Sequence, residues 1–289
     1  MWIVYAFASA LFAGATSVLA KIGIRDADSH VVTALRTGVV LIFSWIMVFL
    51  TGAQSGLAQL DGKSLLFLVL SGMATGASWL CYFKALQLGS LNKVAAVDKS
   101  STVLTILFAV VLLKEEINGI KLAAIALIAV GTLLMLDRKK PQNEQSDAKL
   151  SSAWLLYAGL SALFAALTSI LAKVGVQSVN SNLATALRTG VVLVMAWGMV
   201  LLTGKGAQVK AVRGKSLVFT VLSGVATGGS WLCYYKALQM GPASAIAPID
   251  KLSILVTVLF ARVVLHEKLS CRALAGLCLL VAGTLLMLV

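Results

Sequence analysis

Apolar stretches of close to twenty residues recur along the chain, separated by short segments rich in Gly, Asn, Ser and charged residues. A helix of that length crosses the roughly 30 Å hydrocarbon layer of a bilayer. The pattern predicts ten transmembrane helices, at about 2–23, 31–51, 64–88, 94–113, 119–137, 154–175, 183–203, 216–240, 246–265 and 271–289. The predicted fold class is therefore all-α integral membrane.

The chain carries this pattern twice. The segment TALRTGVVL begins at 33 and again at 185, GKSL at 62 and 214, and GTLLML at 131 and 283, so the offset is constant. We predict a first repeat over 1–137 (helices 1–5), a linker over 138–152 and a second repeat over 153–289 (helices 6–10). Because five spans is an odd number, the second repeat enters from the opposite face, which predicts two inverted five-helix repeats.

Composition supports a membrane protein and the loop charges predict its orientation. The 289 residues are 60% hydrophobic and 12% charged, against about 25% charged residues in soluble proteins. The net charge of +13 lies mostly in short loops, so we expect a lipid bilayer and no nucleic acid as its partner. Opposite the linker the loops carry only Lys63, Lys114 and Lys121. The basic residues on the linker face are Arg25, Lys93, Arg138, Lys139, Lys140, Lys149, Lys205, Lys210, Arg213, Lys215, Lys268 and Arg272.

The positive-inside rule then places the linker in the cytoplasm and both termini outside. We expect a multi-pass protein of the cytoplasmic (inner) membrane.

Two helices carry a narrow polar stripe at helical spacing. Its members are Ser71, Thr75, Ser78 and Tyr82 in the first repeat and Ser223, Thr227, Ser230 and Tyr234 in the second. Small polar residues also serve helix packing, so the stripe is either a packing surface or the wall of a substrate cavity. The tyrosine favours a cavity because its buried hydroxyl needs a partner. The predicted substrate-binding residues are Thr37, Thr75, Ser78, Trp79 and Tyr82, with their counterparts Thr189, Thr227, Ser230, Trp231 and Tyr234.

Two pairs of charged residues lie more than one turn inside predicted helices: Arg36 with Asp98, and Arg188 with Asp250. A charge deep in a bilayer costs about 2.5–3.5 kcal/mol or more, so these residues should be paired or wetted. We hypothesise that each pair forms a gating ion pair, one near each mouth of a path, closing alternately. The alternative is that they are interfacial charges solvated by lipid headgroups.

Residues that carry chemistry are sparse. Cys81, Cys233 and Cys278 lie in apolar helices, and with two histidines no zinc-ligand spacing can be assembled. No Gly-rich phosphate-binding loop occurs. We predict no metal, no cofactor, no catalytic residue and no enzyme activity.

The segment from "YYKALQ" to the end resembles the end of an EamA-type domain of the drug/metabolite transporter superfamily. The matching positions are Tyr234, Ala237, Leu238, Ala243, Ser244, Pro248, Glu267, Gly276 and Gly283. The first repeat keeps Tyr82, Ala85, Leu86, Glu115 and Gly131, with Phe83 in place of Tyr235 and Ala96 in place of Pro248.

The resemblance implies a ten-helix transporter with its substrate cavity between the repeats, and single-repeat relatives that work as paired copies. It also implies cytoplasmic termini, opposite to the loop charges.

The function favoured by these features is secondary transport of a small polar organic metabolite by alternating access. Excess basic residues at the depth of the buried pairs favour an anionic or zwitterionic solute, and a homodimer is a further expectation. The alternative is a flippase or accessory membrane subunit that handles lipid-linked molecules.

Overall fold

The computed structural model describes residues 1–23, 28–88, 94, 97, 100–116, 118–135, 153–264 and 270–288. Every regular element within these residues is helical. The α-helices are α1 Trp2–Gly23, α2 Ser29–Leu50, α3 Gly62–Leu88, α4 Ser101–Leu113, α5 Gly119–Met135, α6 Ala153–Gly175, α7 Ser181–Leu202, α8 Lys215–Met240, α9 Ala243–Lys251, α10 Ser253–Val264 and α11 Cys271–Leu286. Short 3₁₀ helices at Ala53–Gln59 and Gly206–Ala211 follow α2 and α7. The predicted all-α membrane class is confirmed, and α1, α2, α3, α6, α7 and α8 are each long and apolar enough to span a bilayer.

The chain forms two compact units, and each contains segments of both predicted repeats. Unit 1 comprises Met1–Gly76, Leu171–Gly241 and Ile249–His266, and unit 2 comprises Ala77–Ile170, Pro242–Pro248 and Glu267–Val289. The units therefore do not coincide with the two repeats, because equivalent helices of the repeats pack against each other within one unit.

In unit 1, α2 packs against α7, its equivalent in the second repeat. Near the start of α2, His30 lies 3.1 Å from the sulfur of Met199 near the end of α7. At the other end, the Asn182 amide donates to Thr51 Oγ1 over 3.1 Å. Equivalent helices thus run antiparallel, which is the relation that an inverted repeat requires.

In unit 2, α5 packs against its equivalent α11 in the same antiparallel manner. A Cβ on Gly131 would lie 2.7 Å from the carbonyl oxygen of Gly276, and one on Gly283 would lie 2.9 Å from the carbonyl oxygen of Ala124. Later residues of α5 therefore meet earlier residues of α11. Because glycine has no side chain, the two backbones can approach closely at these positions, as they do at small residues between membrane helices. The inverted relation of the two repeats holds in both units.

The predicted ninth helix at 246–265 is corrected by the structure. The helix begins at Ala243 and is divided at Leu252 into α9 and α10. Pro248 lies inside α9 and has no N–H to donate to the carbonyl of Ser244, so the turn before it lacks one hydrogen bond. Around the break, backbone hydrogen bonds join residues three apart instead of four. They run from Leu252 N to Ile249 O at 2.9 Å and from Leu255 N to Leu252 O at 2.8 Å.

The loop contacts of unit 1 show which connections share a membrane face. Lys205, after α7, forms an ion pair with Asp28, before α2. At the other ends of these helices, Ser178 Oγ donates to Asp61 Oδ1 over 3.1 Å. The loop charges also assign Lys205 to the face opposite Lys63, so the sequence and the structure agree on this grouping.

Candidate functional site: a buried arginine in unit 1

Arg188 lies in the middle of α7 and is only 2% exposed. Its Nε donates to Ser71 Oγ over 2.9 Å, and its Nη2 donates to Thr75 Oγ1 over 2.5 Å. Ser71 and Thr75 are one helical turn apart on α3, so they present two hydroxyls to one guanidinium. The first repeat thus supplies the acceptors for a cation of the second.

Aromatic rings of α8 cover the same guanidinium. Its central carbon lies 5.1 Å from the ring centroid of Trp231 and 4.9 Å from that of Tyr235. Contacts of this length are cation–π interactions, which strengthen when the cation is desolvated. Tyr234 packs edge-on against Tyr235, with centroids 5.5 Å apart. We call Arg188, Ser71, Thr75, Trp231 and Tyr235 the arginine cage.

The cage leaves part of the guanidinium unused. Nη1 is buried and has no hydrogen-bond partner among the described residues. No carboxylate of the described residues lies within ion-pair distance of Arg188. Within the described residues, hydroxyls and aromatic rings therefore hold this positive charge.

Asp250, the predicted ion-pair partner of Arg188, has a different neighbour. Its Oδ1 accepts a hydrogen bond from Ser9 Oγ over 2.9 Å, and Ser9 Oγ is 3.2 Å from Ser230 Oγ. These contacts join α1, α8 and α9 but do not include Arg188. Arg188 and Asp250 therefore do not contact each other directly, since neutral hydroxyls hold the guanidinium and Ser9 holds the carboxylate. Their gating role stays a prediction.

Arg36 is the counterpart of Arg188 in the first repeat, and its surroundings differ. Its side chain is half-buried and makes no hydrogen bond or ion pair with another described residue. The counterparts of the two cage hydroxyls, Ser223 and Thr227, contact α1 instead. Ser223 Oγ donates to Thr16 O over 3.3 Å, and Thr227 Oγ1 donates to Thr16 Oγ1 over 3.3 Å. Asp98 lies outside the described residues, so the Arg36–Asp98 pair stays a prediction.

The remaining members of the polar stripe contact neighbouring helices. In unit 2, Ser78 Oγ donates to Ser161 O over 3.0 Å. In unit 1 the equivalent pair is Ser230 with Ser9. The stripe thus follows the packing surface between the third helix of one repeat and the first helix of the other, so the packing interpretation accounts for these contacts.

The other predicted binding residues occupy several environments. Thr37 Oγ1 and Thr189 Oγ1 donate back to their own helices, to Thr33 O at 2.8 Å and Thr185 O at 2.6 Å. Tyr82 packs beside a small apolar cluster in unit 2 that contains Ala85, Val94 and Ala158, and Trp79 is half-buried. Of the predicted set, Thr75 and Trp231 contact the Arg188 guanidinium, and Tyr234 packs against the cage residue Tyr235.

The sequence interpretation missed three residues that contact Arg188 or Asp250. Ser71 was in the stripe but not among the binding residues, and Tyr235 was passed over in favour of Tyr234. Ser9 was not considered, although its counterpart Ser161 occurs at the repeat offset. A hydroxyl retained at equivalent positions of both repeats is the signal that would have found it.

A polar cluster buried among membrane-spanning helices of two inverted repeats is an arrangement typical of membrane transporters. A model of the EamA-like transporter family matches residues 1–137 and 152–289. The chain belongs to this family and is a multi-pass membrane transporter.

Individual relatives match the chain over one repeat or over its full length. A Sinorhizobium sp protein described as an uncharacterized transporter in the cobO 3′ region is 44% identical over 138 residues, which is 48% of this chain and 98% of that protein. A solved crystal structure is similar with a TM-score of 0.77 at 16% identity, covering 98% of this chain and 94% of the other. The first is similar to a single repeat, and the second supports the fold.

Proposed function

We propose that the protein is a secondary carrier that moves a small polar organic metabolite across the cytoplasmic membrane by alternating access. The observation that carries this proposal is the arginine cage. A cation is held inside membrane helices by α3 of the first repeat and by α7 and α8 of the second. Polar and ionisable side chains at that depth are costly and mark solute paths in transporters.

The inverted repeats supply a physical route to alternating access. In transporters built from inverted repeats, one repeat can rock against the other about a central binding site and open it first to one membrane face and then to the other. Such a mechanism needs equivalent positions to differ in any one conformation. Arg188 is enclosed by the cage while Arg36 is half-buried, which is a difference of that kind.

The test is a ligand screen followed by transport. Purified protein is heated with a panel of metabolites. A ligand that binds the folded state adds to the free energy of unfolding, by about 2.7 kcal/mol at 100 times its Kd, and so raises the unfolding temperature. Solutes that stabilise the protein are then assayed for uptake into proteoliposomes. We expect saturable uptake that Arg188→Lys lowers at least about tenfold, a loss of about 1.4 kcal/mol of interaction.

The matched control is Arg213→Lys, since Arg213 is exposed in the loop before α8. It should transport at the wild-type rate. Arg188→Lys is included only if its unfolding transition remains cooperative. If lipid-linked compounds stabilise the protein and no water-soluble solute is transported, the protein is a flippase and not a carrier. Absence of saturable flux for every stabilising solute would also contradict the proposal.

A further inference from the structure

Several contacts between the two repeats are reciprocal, as in the pairs Ser9–Ser230 and Ser161–Ser78, which makes an exception informative. A Cβ on Gly72 would lie 3.1 Å from the carbonyl oxygen of Arg188, and one on the equivalent Gly224 would lie 3.1 Å from the carbonyl oxygen of Arg36. The backbone around the two arginines is therefore the same.

The side chains at these two positions break the symmetry. Arg188 donates to Ser71 and Thr75, whereas the equivalent hydroxyls beside Arg36 point to Thr16. Because the local backbones match, the difference lies in the side-chain contacts of the two arginines. One arginine is enclosed, and the other has its donors free of described partners.

The donors that remain on both arginines suit a small anion. A guanidinium has five N–H donors. The cage engages Nε and Nη2 of Arg188, while Nη1 is buried and has no partner within the described parts of the chain. A planar fork of N–H groups matches the two oxygens of a carboxylate. A monoanion would also neutralise a buried charge that otherwise costs several kcal/mol.

We propose that Arg36 and Arg188 are a symmetry-related pair of carboxylate-binding residues, with Arg188 held by the cage and Arg36 uncaged in this structure. This inference rests on the proposed function and names the solute class, a small organic monocarboxylate. One guanidinium compensates one negative charge, so a phosphate dianion would bring a second, uncompensated charge into the site. When the carrier reverses, Arg188 leaves the cage and Arg36 gains Ser223 and Thr227 as hydrogen-bond acceptors.

The experiment measures the reactivity of each arginine in the wild-type chain. Protein in lipid nanodiscs is treated with phenylglyoxal, which modifies accessible guanidinium groups, and mass spectrometry quantifies each site. Arg213 and Arg272, both exposed, serve as internal references. We expect Arg36 to react and Arg188 to be protected. Sodium benzoate or acetate at twice its Kd should lower Arg36 modification about threefold, while sodium phosphate of equal ionic strength should not.

Two variants test the exchange. Thr75→Val removes one cage acceptor and should raise Arg188 modification at least about tenfold, the factor that corresponds to about 1.4 kcal/mol for one lost hydrogen bond to a charged group, and lower that of Arg36. Thr185→Val is the matched control, because this buried hydroxyl donates only to Ser181 O in its own helix. It should change neither arginine.

Several outcomes would overturn the inference. They are Arg36 modification that no carboxylate changes, equal protection by phosphate, and an Arg188 increase without an Arg36 decrease. If carboxylates fail to protect Arg36 while proteoliposomes take up another solute, the inference fails and the carrier stands. If carboxylates protect Arg36 but no solute crosses the bilayer, the binding site stands and the carrier fails.

Discussion

Glu115, which follows α4, caps a helix of the opposite repeat. Its carboxylate oxygens accept hydrogen bonds from Ala243 N at 2.7 Å, Ser244 N at 3.0 Å and Ser244 Oγ at 2.5 Å. The first N–H groups of a helix have no partner within the helix, and a negative charge is favourable beside them. The start of α9 therefore depends on a side chain more than 120 positions earlier in the chain.

Replacing this cap should destabilise the protein. Glu115→Gln keeps one acceptor oxygen but places an amide NH₂ against a backbone N–H, and we expect a loss of about 1–2 kcal/mol of unfolding free energy. Thermal or denaturant unfolding in detergent measures it. Glu116→Gln is the matched control, because Glu116 is exposed, and it should be neutral. Equal stability of the two variants would show that the cap contributes nothing.

Asp28 joins the start of α2 to the loop after α7. It accepts a hydrogen bond from His30 N at 2.9 Å and pairs with Lys205. Burial raises the pKa of the Asp28 carboxyl, but the hydrogen bonds from Lys205 and His30 outweigh burial and hold this pKa below its ordinary value. Folding therefore favours the ionised carboxylate.

This shift predicts a pH-dependent difference between two proteins. A carboxyl with a lowered folded pKa stabilises the fold above its unfolded pKa and loses that contribution as the pH falls through the folded pKa. Wild type should be more stable than Asp28→Asn at neutral pH, and the difference should shrink as the pH falls below the ordinary Asp pKa and through the lowered folded pKa. Unfolding is followed at several pH values. Lys205→Gln should shrink the difference at neutral pH, and a constant difference across the range would contradict the assignment.

At the residue level the sequence could predict types and faces but not partners. Helical spacing placed Thr75 and Ser78 on one face of α3, as the structure has them. It could not tell that Thr75 would accept from Arg188 of α7 while Ser78 would donate to Ser161 of α6, because periodicity defines a face and leaves the neighbouring helix open. For the same reason the spacing gave no sign that Tyr235, the neighbour of Tyr234, would face Arg188.

The crossing of α5 and α11 depends on glycine. A Cβ added at Gly131 would lie 2.6 Å from Leu280 N and 2.7 Å from Gly276 O, and both neighbours are backbone atoms that cannot rotate away. The crossing thus needs glycine for space, and no special backbone angle is involved.

Gly131→Ala should therefore destabilise the protein by about 1–3 kcal/mol, the range for overpacking. Gly159→Ala in α6 is the matched control, because nothing lies within 4 Å of its added Cβ. That change should stabilise by up to about 1 kcal/mol, since alanine favours helix. Unfolding free energies of both variants provide the comparison, and similar values would mean that the crossing tolerates a wider spacing.

Helices were predicted best where apolar length alone defines them. The predicted spans at 2–23, 64–88, 154–175 and 216–240 differ from α1, α3, α6 and α8 by two residues at most. The ninth helix was harder because its start depends on Glu115 and its division follows Pro248. Its proline was visible in the sequence, but Asp250 and Lys251 beside the break have apolar residues on both sides, so a hydropathy pattern predicts one helix.

For the whole molecule, the paired loops group the connections by membrane face but leave the orientation to loop charge. The 3₁₀ segments Ala53–Gln59 and Gly206–Ala211 follow the ends of two antiparallel helices, α2 and α7. They therefore lie at opposite ends of the helix pair. The second segment and its flanks carry Lys205, Lys210, Arg213 and Lys215, whereas residues 52–60 carry no charge. An excess of Lys and Arg in a short loop favours the cytoplasmic side.

Single cysteines at these two segments decide the orientation. In a background with the four native cysteines replaced, Ser55→Cys and Gln208→Cys each place a thiol at an exposed position. A membrane-impermeant maleimide applied to intact cells should label the Ser55→Cys protein and leave the Gln208→Cys protein unlabelled, and permeabilised cells should label both. The reverse pattern would place both termini in the cytoplasm, as the family resemblance implies. The cytoplasmic mouth would then be the one at the Ser55 end of α2 and α7, and the basic loop at 204–215 would face outward against the charge rule.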